Sequence, residues 1–377
     1  MIYKKFQDIE LSTLGLGMMR LPLIDGDESK VDEKAAQEMI DYAMENGINY
    51  YDTAWGYHSG NSEYVTGRLL SKYPRESYYL ASKFPGYDTK NLEKKEEIFE
   101  KQLQKCGTDY FDFYLCHNVD NGNVDFYLDE KYGFLDYIVK QKENGKIKHL
   151  GFSAHGSIET MKRFLDVYGD YMEFCQLQIN YMDWHYQNAE EKVKFISSYN
   201  IPIWVMEPVR GGKLATAHEK KAAALKEMRS DETIPGWAFR FLQSIPEVTL
   251  TLSGMSNMEQ LKANIETYKE DKPLSGEEFA KLIEIADEDA AKGGLPCTKC
   301  NYCTSYCPQE LNIPKIISVY NEHIITGGGN EAPGGILGMD EDKRPGSCIG
   351  CESCEKVCPQ QIKISKMMNE FSSMIGM

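Results

Sequence analysis

The chain has 377 residues, of which 42% are hydrophobic, and a formal net charge of −16. It is long for one ordinary domain and apolar enough to bury a large core, which excludes a disordered chain. The excess of acidic residues argues against nucleic acid or anionic membranes as partners. We find no signal peptide and no apolar segment long enough to cross a bilayer, so we expect a cytoplasmic protein with reduced thiols.

After a short N-terminal hairpin, runs of β-forming residues alternate with longer amphipathic segments. The eight strand candidates in chain order are 13–19, 48–53, 78–83, 111–117, 148–153, 174–179, 203–206 and 248–252. The clearest helix candidates between them are 33–46, 62–72, 92–106 and 131–144. Glycines directly after three of these helices mark their ends. Residues 118–130 are predicted to form a polar loop.

Eight strand–helix units over roughly 250 residues predict an α/β fold, a (β/α)8 TIM barrel with a parallel sheet. A doubly wound sheet is the rival fold, but no G-x-G-x-x-G follows the first strand. A last helix is predicted at 275–290, and 292–296 is typical of a linker. We therefore place the barrel domain at 1–290 and a second, smaller domain at 291–377.

Polar side chains end three consecutive apolar strands. The second strand ends at Asp52, with Tyr57 shortly after it, the third ends at Lys83 and the fourth ends at His117. Because the reactive residues of TIM barrels lie at the carboxyl ends of the strands, we expect these four to converge on one rim. Each taken singly has an ordinary explanation, such as a helix cap. Burying three titratable groups together costs free energy unless they pair.

The four residue types suit proton transfer. A phenol is a poor proton donor at neutral pH because its usual pKa is about 10. A lysine cation beside it lowers that pKa by favouring the phenolate. Asp52 would pair with Lys83 and keep it charged, and His117 can orient a carbonyl oxygen or share the proton. The set predicts a tuned acid beside a hydride donor.

The segments around these residues resemble the catalytic motifs of the aldo-keto reductases. They read Asn-Tyr-Tyr-Asp-Thr-Ala-Trp-Gly-Tyr at 49–57, Ala-Ser-Lys at 81–83 and Leu-Cys-His at 115–117. The resemblance implies a catalytic tetrad of Asp52, Tyr57, Lys83 and His117. In that family the tyrosine protonates a carbonyl oxygen while NADPH delivers hydride, so a small carbonyl or alcohol substrate is implied.

The resemblance also indicates cofactor contacts along the later strands. Ser153 stands in the segment that holds the nicotinamide amide, although the usual asparagine after it is replaced, and Gln176 matches an amide-binding glutamine. Met206 and Pro208 stand where the family often has Tyr-Ser-Pro, so Met206 would offer the nicotinamide a softer apolar contact. Glu207 between them is an unexpected charge near the pyrophosphate path.

Two glycine-containing loops follow the seventh and eighth strands, where TIM barrels bind phosphate. Glycines and a following helix N-terminus suit an anion. The residues assigned to the cofactor in and after these loops are Arg210, Gly211, Gly254, Ser256, Gln260 and Asn264. The last two match adenosine-binding positions of the family. The arginine that often grips the 2′-phosphate is missing near Ser256, so NADP and NAD both remain candidates.

Substrate contacts are less marked in the sequence. The candidates for the mouth of the barrel are Arg20, Trp55, Tyr87 and Trp184. Aromatic residues belong more often to a core than to a pocket, so the core alternative stays open for each of them.

The C-terminal part carries eight of the eleven cysteines. They form two C-x2-C-x2-C-x3-C-P runs, which start 51 residues apart at Cys297 and Cys348. In this spacing three thiolates bind one [4Fe–4S] cluster and the fourth binds the other cluster. One cluster is therefore assigned to Cys297, Cys300, Cys303 and Cys358. The other is assigned to Cys307, Cys348, Cys351 and Cys354.

Disulfides and structural zinc are the alternatives for these cysteines. Disulfides fit poorly where nothing marks the chain as secreted, and zinc sites usually take cysteine pairs set well apart. The segment resembles the bacterial-type ferredoxins that carry two [4Fe–4S] clusters, over about residues 291–377. The resemblance implies a small α+β ferredoxin-like iron–sulfur domain.

The two domains imply different electron chemistry. Nicotinamide transfers two electrons as hydride and a cluster transfers one, so coupling them normally needs a flavin, which is a further candidate cofactor. The first hypothesis is an NAD(P)H-linked carbonyl reductase whose clusters exchange electrons with a redox protein partner. The second is a reductase with purely structural clusters, and the third is a non-catalytic electron carrier that uses the barrel for docking. The intact tetrad and the two complete cluster motifs favour the first.

Overall fold

The computed structural model describes residues 1–217, 219–326, 336 and 338–375, with the backbone alone for 219, 220, 325 and 326. The chain divides into two compact units, Met1–Ala280 and Lys281–Met377. The helix Gly276–Ala291 contains this division and also the sequence-based boundary after residue 290, which stays a prediction. None of the described helices has both the length and the apolar character needed to cross a bilayer.

The strands of the first unit form a hairpin and a closed barrel. The hairpin pairs β1 (Tyr3–Phe6) with β2 (Ile9–Ser12) in antiparallel register. The parallel barrel strands in chain order are β3 (Leu14–Gly17), β4 (Tyr50–Asp52), β5 (Tyr79–Phe84), β6 (Phe111–Val119), β7 (Ile147–Ala154), β8 (Phe174–Gln178), β9 (Ile203–Met206) and β10 (Val248–Gly254). Thr251 of β10 pairs with Leu14 of β3 and closes the ring. The predicted (β/α)8 barrel is confirmed.

Helices follow the barrel strands. In chain order they are α1 (Glu33–Glu45), α2 (Ser62–Leu70), α3 (Lys95–Cys106), α4 (Val124–Leu128), α5 (Phe134–Glu143), α6 (Ile158–Tyr168), α7 (Asp183–Tyr186), α8 (Ala189–Ser197), α9 (Glu219–Met228), α10 (Ile234–Gln243), α11 (Met258–Thr267) and α12 (Gly276–Ala291). Side-chain caps start several of them; the Asp32 carboxylate, for example, accepts from the Ala35 N–H at 3.0 Å before α1. Gly107 ends α3 in the left-handed conformation, with φ of 61°.

The structure differs from the predicted elements after β6. Residues 118–130, predicted as a polar loop, contain α4. The Asp120 carboxylate accepts from the backbone N–H groups of Gly122 and Asn123 at 2.8 and 3.1 Å, and this turn leads into the short helix. The helix predicted at 131–144 begins only at Phe134. Helices of one turn leave too short a pattern for apolar periodicity to detect.

Aromatic side chains fill the end of the barrel where the strands begin. The Phe6 ring of the hairpin lies 5.1 Å from the Trp204 ring and 5.7 Å from the Phe113 ring. Phe113 and Trp204 lie near the amino ends of β6 and β9, and all three belong to one buried cluster. The hairpin therefore covers this end, and the opposite rim holds the carboxyl ends of the strands, where barrel sites form.

The regular elements described after α12 are helices: α13 (Ile313–Thr326), α14 (Ser353–Lys356) and α15 (Ile364–Met374). An α+β layout was expected for this unit, and no strand forms among its described residues. Ile317 of α13 and Phe371 of α15 pack into one core together with buried cysteines. The Asn321 amide fixes the entry to the first cysteine run, since it accepts from Leu295 N–H at 2.6 Å and donates to Leu295 O at 2.8 Å.

Candidate active site and cysteine-lined hollows

The carboxyl ends of β4, β5 and β6 bring the four predicted tetrad residues together. In the parallel register Asp52 lies opposite Ala81, and Lys83 lies opposite Leu115. Asp52, Lys83 and His117 therefore occupy the same end of three neighbouring strands. Tyr57 follows β4 at the start of a 3-10 turn, Tyr57–Gly60. The site thus forms at the rim opposite the hairpin.

Lys83 is the centre of this group, and its side chain is fully buried. Its ammonium donates to the Asp52 carboxylate, to the Thr53 carbonyl oxygen at 2.9 Å and to the Tyr57 hydroxyl at 3.3 Å. Three protons meet three acceptors, so the buried cation is satisfied. A phenol that accepts a hydrogen bond from an ammonium gives up its proton more readily, because the phenolate is stabilised.

The charges of Asp52 and Lys83 support one another. Burial lowers the pKa of the Lys83 ammonium, but the Asp52 carboxylate and the Tyr57 hydroxyl outweigh burial and hold that pKa above its usual value. Burial raises the pKa of the Asp52 carboxyl, and contacts with Lys83 and Gln176 oppose the rise. The direct contact between opposite charges keeps the pair ionised at neutral pH.

His117 presents a neutral imidazole to the same rim. The side chain is buried, and its ring lies edge-to-face with the rings of Tyr57 and Tyr87 at centroid distances of 6.1 and 5.4 Å. Burial lowers the pKa of His117 well below its usual value, and the nearby Lys83 ammonium adds to the shift. A neutral imidazole can donate a hydrogen bond to a carbonyl oxygen without adding a second positive charge.

His58, which sequence reasoning did not identify, anchors the turn that carries Tyr57. Its Nε2 lies 2.9 Å from the Met18 carbonyl oxygen and its Nδ1 lies 3.2 Å from the Glu28 carbonyl oxygen. His58 and Ser59 have left-handed φ angles of 50° and 54°, which cost free energy in residues other than glycine. The contacts hold this strained turn in place. Its partners lie 30 and 40 residues away along the chain, so no local pattern announces them.

A buried polar network also escaped the sequence-based search. It consists of Glu63, Ser82, Gln102, Lys105 and Tyr114. The Gln102 amide donates to the Lys83 carbonyl oxygen at 3.0 Å and to the Glu63 carboxylate at 2.6 Å. The Lys105 ammonium lies 3.3 Å from Glu63 and 3.8 Å from the centre of the Trp55 ring. The network ties β5 to α2 and α3 and so holds the backbone of Lys83. In the sequence, the one indication of this network was that polar residues stand inside two predicted amphipathic helices.

Two of the predicted cofactor residues adjoin the tetrad. The Gln176 amide lies 3.5 Å from the Asp52 carboxylate as a hydrogen-bond donor. The Ser153 hydroxyl accepts from the backbone N–H of Asn118 at 2.7 Å, directly after His117. Both side chains are buried within β7 and β8. An amide-bearing ligand at this rim would find a hydroxyl and an amide close to the tetrad, so these residues fit a nicotinamide.

The turn after β9 buries Arg210. Glu207 and Arg210 take left-handed φ angles of 57° and 50°, and Gly211 and Gly212 continue the turn at 63° and 89°. Arg210 Nε lies 3.1 Å from Asp183 Oδ1 as an ion pair, yet neither Nε nor Nη2 has a hydrogen-bond partner among the described residues. Buried guanidinium N–H groups without an acceptor favour an anionic ligand. A pyrophosphate would supply such an acceptor. Sequence reasoning missed Asp183.

Glu207 adds a negative charge to the same turn, between half-buried Met206 and buried Pro208. Its carboxylate lies 3.8 Å from the Arg20 guanidinium. Burial raises the pKa of the Glu207 carboxyl, and Arg20 opposes the rise. Gly254 leaves space for the Arg20 side chain, because a Cβ at position 254 would lie 3.1 Å from Arg20 Cβ. Arg20 thus offsets part of the unexpected charge that the sequence places near the cofactor path.

The two residues predicted to bind adenosine, Gln260 and Asn264, lie on α11, and Ser256 precedes that helix. The Ser256 N–H donates to the Gln260 side-chain oxygen at 2.8 Å, and both residues are exposed. Asn264 is buried, and its amide donates to the Ser253 hydroxyl at 3.2 Å. The structure therefore leaves Ser256 and Gln260 accessible to a ligand, whereas it directs Asn264 towards β10.

The three aromatic candidates for the mouth of the barrel separate into two groups. The Trp184 ring is buried, 5.3 Å from the Phe241 ring and 6.0 Å from the Phe279 ring, so the core alternative holds for it. Tyr87 packs against His117, and Trp55 packs against Lys105, so these two half-buried rings stand beside the tetrad and its supporting network.

The second unit contains two hollows, each lined by four cysteines. The first hollow is lined by Cys297, Cys300, Cys303 and Cys358. The second hollow is lined by Cys307, Cys348, Cys351 and Cys354. These are the two sets that the spacing predicts, with the fourth cysteine of each run crossing to the other set.

The thiols of each set affect one another electrostatically. Burial raises the pKa of Cys303, and the thiols of Cys300 and Cys358 add to the rise. Burial and Cys348 likewise raise the pKa of Cys354 to about 12. Four thiolates can gather only where positive charge compensates them, as the irons of a cluster do. No group of His, Cys, Asp and Glu side chains in the described ranges is placed to share one metal ion, whereas a cluster binds each thiolate at a separate corner. The donor sets therefore fit two [4Fe–4S] clusters.

Comparison with known proteins relates the two parts of the chain to two different families. Residues 13–287 match the Aldo/keto reductase family, and residues 296–363 match the 4Fe-4S dicluster domain. The chain is 24% identical to the uncharacterized oxidoreductase YqkF of Bacillus subtilis over 76% of this chain and 96% of that protein. It is 29% identical to the probable aldo-keto reductase 1 of Glycine max over 55% of this chain, and it spans only 58% of that relative.

A solved structure shows the same barrel. It is the aldo/keto reductase from Klebsiella pneumoniae in complex with NADP and acetate, at 18% identity and a TM-score of 0.60, over 74% of this chain and 93% of that one. At this identity the likeness supports the fold alone. The family match over residues 13–287 carries the assignment. The chain therefore belongs to the aldo/keto reductase family and carries a C-terminal 4Fe-4S dicluster domain.

Proposed function

We propose that the barrel reduces a small-molecule carbonyl group, or oxidises the corresponding alcohol, with a nicotinamide cofactor. We further propose that the two clusters exchange single electrons with a protein partner. The observation that carries the first part is the buried Lys83 ammonium, which donates to the Asp52 carboxylate and to the Tyr57 hydroxyl. The two hollows, each lined by four cysteines, support the second part.

Each tetrad residue has a role that its contacts support. When bound, the nicotinamide supplies hydride to the carbonyl carbon. Tyr57 donates its hydroxyl proton to the carbonyl oxygen, and Lys83 stabilises the phenolate that remains. His117 donates a hydrogen bond to the same oxygen and orients it. Hydride and proton together convert the carbonyl into an alcohol, and water returns a proton to Tyr57.

The cofactor is assigned to the ends of the later strands. Ser153 and Gln176 would contact the nicotinamide amide, Met206 its ring, and Arg210 the pyrophosphate through its unmatched N–H groups. NADP is to be tested first, because NADP binding is typical of the aldo/keto reductase family that residues 13–287 match. NADH is to be tested as well, since Ser256 stands where the family often has an arginine.

Replacing Tyr57 tests the catalytic part. We expect Tyr57→Phe to lower kcat for reduction of a small aldehyde by about 10³-fold, because it removes the general acid. Iron content should not change. The matched control is Tyr64→Phe on α2, whose ring lies over Lys105 and outside the tetrad. A Tyr57→Phe enzyme that keeps the wild-type kcat would refute the assignment.

Anaerobic addition of nicotinamide tests the redox part. The purified protein, assayed first for bound flavin, is mixed with NADPH or NADH while the broad cluster absorbance is followed. Bleaching would show that nicotinamide and clusters exchange electrons. If the absorbance stays constant while an aldehyde is reduced, the barrel works alone and structural clusters become the better hypothesis.

A further inference from the structure

The two hollows differ in how far their cysteines are exposed. Three of the four cysteines of the first hollow, Cys297, Cys303 and Cys358, are buried. In the second hollow Cys354 is buried, Cys307 and Cys348 are half-buried, and Cys351 is exposed. A cluster in the second hollow would therefore reach the surface at its Cys351 corner. Electron transfer between proteins weakens steeply with distance, so this corner is the better contact point.

The surface around Cys351 is apolar. Ile349 is 62% exposed, the largest exposed fraction among the described large hydrophobic side chains, and Tyr306 beside the same hollow is also exposed. Pro308 and Gly350 complete the group, which we name the exit surface: Tyr306, Pro308, Ile349, Gly350 and Cys351. An exposed apolar patch with a polar rim marks an interaction site more often than chance exposure does.

Charged side chains stand beside the exit surface in the chain: Glu352 directly follows Cys351, and Glu310 lies two residues after Pro308. Glu310, Asp342 and Glu352 are exposed, while Lys343 lies 3.4 Å from Glu310 and 3.9 Å from Asp342 and offsets part of their charge. Lys356 is a further exposed cation, at the end of α14. The bound cluster adds negative charge of its own, because four thiolates exceed the charge of the iron–sulfide core. The balance is acidic and favours a basic partner face.

Exposure to solvent also favours electrons in the second hollow. Contact with solvent stabilises the more negative, reduced form of a cluster, and Cys351 of this hollow is exposed. An electron that enters the dicluster domain would therefore reside preferentially in the second hollow.

We propose that electrons cross between the dicluster domain and its partner at the exit surface, and that the partner is a redox protein whose cofactor edge lies in an apolar patch ringed by basic side chains. The inference rests on the proposed electron exchange by the clusters. One electron moves from the reduced cluster to the oxidised cofactor of the partner. No proton is transferred, and no covalent bond forms or breaks.

The test uses ferricytochrome c as the probe, since lysines ring its exposed haem edge. The full chain is reduced anaerobically with dithionite, freed of excess reductant and mixed with the probe in a stopped-flow instrument. We expect the second-order rate constant to fall as salt rises. Ile349→Lys should lower it by about tenfold, because it removes an apolar contact and repels the probe.

A matched control separates surface contact from net charge. Met374 is 51% exposed on α15 and lines neither hollow, so Met374→Lys adds the same charge elsewhere on the unit and should change the rate less than about twofold. If Ile349→Lys fails to load iron, Glu352→Gln replaces it, with an expected decrease of about threefold against a Glu370→Gln control. Equal rates in test and control variants would overturn the exit surface.

The outcomes also separate this inference from the proposed function. Dithionite reduces the clusters directly, so nicotinamide and Tyr57 do not enter the assay, and Tyr57→Phe should match the wild-type rate. If carbonyl reduction fails while Ile349→Lys remains slow, the exit surface stands and the barrel proposal falls. If reduced clusters pass no electron to the probe, the exit surface and the electron-exchange proposal both fall.

Discussion

The barrel and the dicluster domain organise their reactive groups in opposite ways. In the barrel, Asp52 and Lys83 satisfy each other, and a network through Gln102 supports the strand behind them. Contacts among the chain's own side chains and backbone therefore hold the tetrad. In the dicluster domain, eight thiols line two hollows, four to each. Burial works against ionising thiols such as Cys303, so this domain depends on its irons.

The contrast indicates where stability comes from in each unit. A barrel with a closed ring of strands and a large apolar core can hold charged residues at its rim, because they change its stability only slightly. A small unit whose core contains its metal ligands derives folding free energy from metal binding itself. Loss of a metal ligand should therefore disturb the structure of the second unit, whereas loss of a tetrad residue should change the chemistry of the first.

Removal of the clusters should have the largest effect. We expect oxidation followed by chelation to unfold the second unit, with loss of amide protection along α13 and α15, because structural metal binding contributes on the order of 10 kcal/mol. Hydrogen exchange with mass spectrometry measures this loss. All four tryptophans lie in the first unit, so their fluorescence should not change. Full protection of α15 in the iron-free protein would contradict the comparison.

Replacement of Asp52 should have an intermediate effect, on chemistry alone. In Asp52→Asn, burial is no longer opposed by a carboxylate, so the pKa of Lys83 should fall and its neutral form should appear at lower pH. We expect kcat to drop about 100-fold, or about 2.7 kcal/mol, and the alkaline limb of the pH–rate profile to move to lower pH.

Asp41→Asn is the control for this change, since Asp41 pairs with Lys72 at the surface. It should leave the pH–rate profile in place. Cluster absorbance should be the same in both variants. An Asp52→Asn profile that overlays that of the wild type would mean that Asp52 does not hold the charge of Lys83.

The smallest predicted effect concerns acid stability of the barrel. The pKa of His117 is lowered in the folded state, so as pH falls below about 6.5 the unfolded chain takes up a proton that the folded chain does not. This group therefore contributes stability above that pH that is lost on acidification. We would measure the free energy of unfolding in urea by tryptophan fluorescence at pH 7.5 and 5.5. Between these two pH values, His117→Gln should lose up to about 1.4 kcal/mol less of this free energy than the wild type does. An equal loss of unfolding free energy in the variant and the wild type would mean that His117 takes up its proton in the folded barrel as well.

Short-range patterns predicted much of the architecture. The run 203–206 is apolar on both faces and the run 111–117 is mostly so, as expected of parallel strands buried in a barrel, and the structure forms strands at Phe111–Val119 and Ile203–Met206. Short-range patterns did not predict the helix α4, and they did not decide whether Trp184 belongs to the core. A one-turn helix held by Asp120 has no periodicity, and the environment of an aromatic ring depends on distant partners such as Phe241.

The sequence by itself determined the two domains, the placement of Asp52, Lys83 and His117 near the carboxyl ends of three strands, and the two cysteine runs, because each rests on spacing within short segments. Only the tertiary structure decided which distant groups contact the residues of the site. It placed Gln102 against the Lys83 backbone and His58 between two remote carbonyl oxygens. It also exposed Cys351 while burying Cys303. Burial and long-range contact arise when separate segments pack together, and no local pattern contains that information.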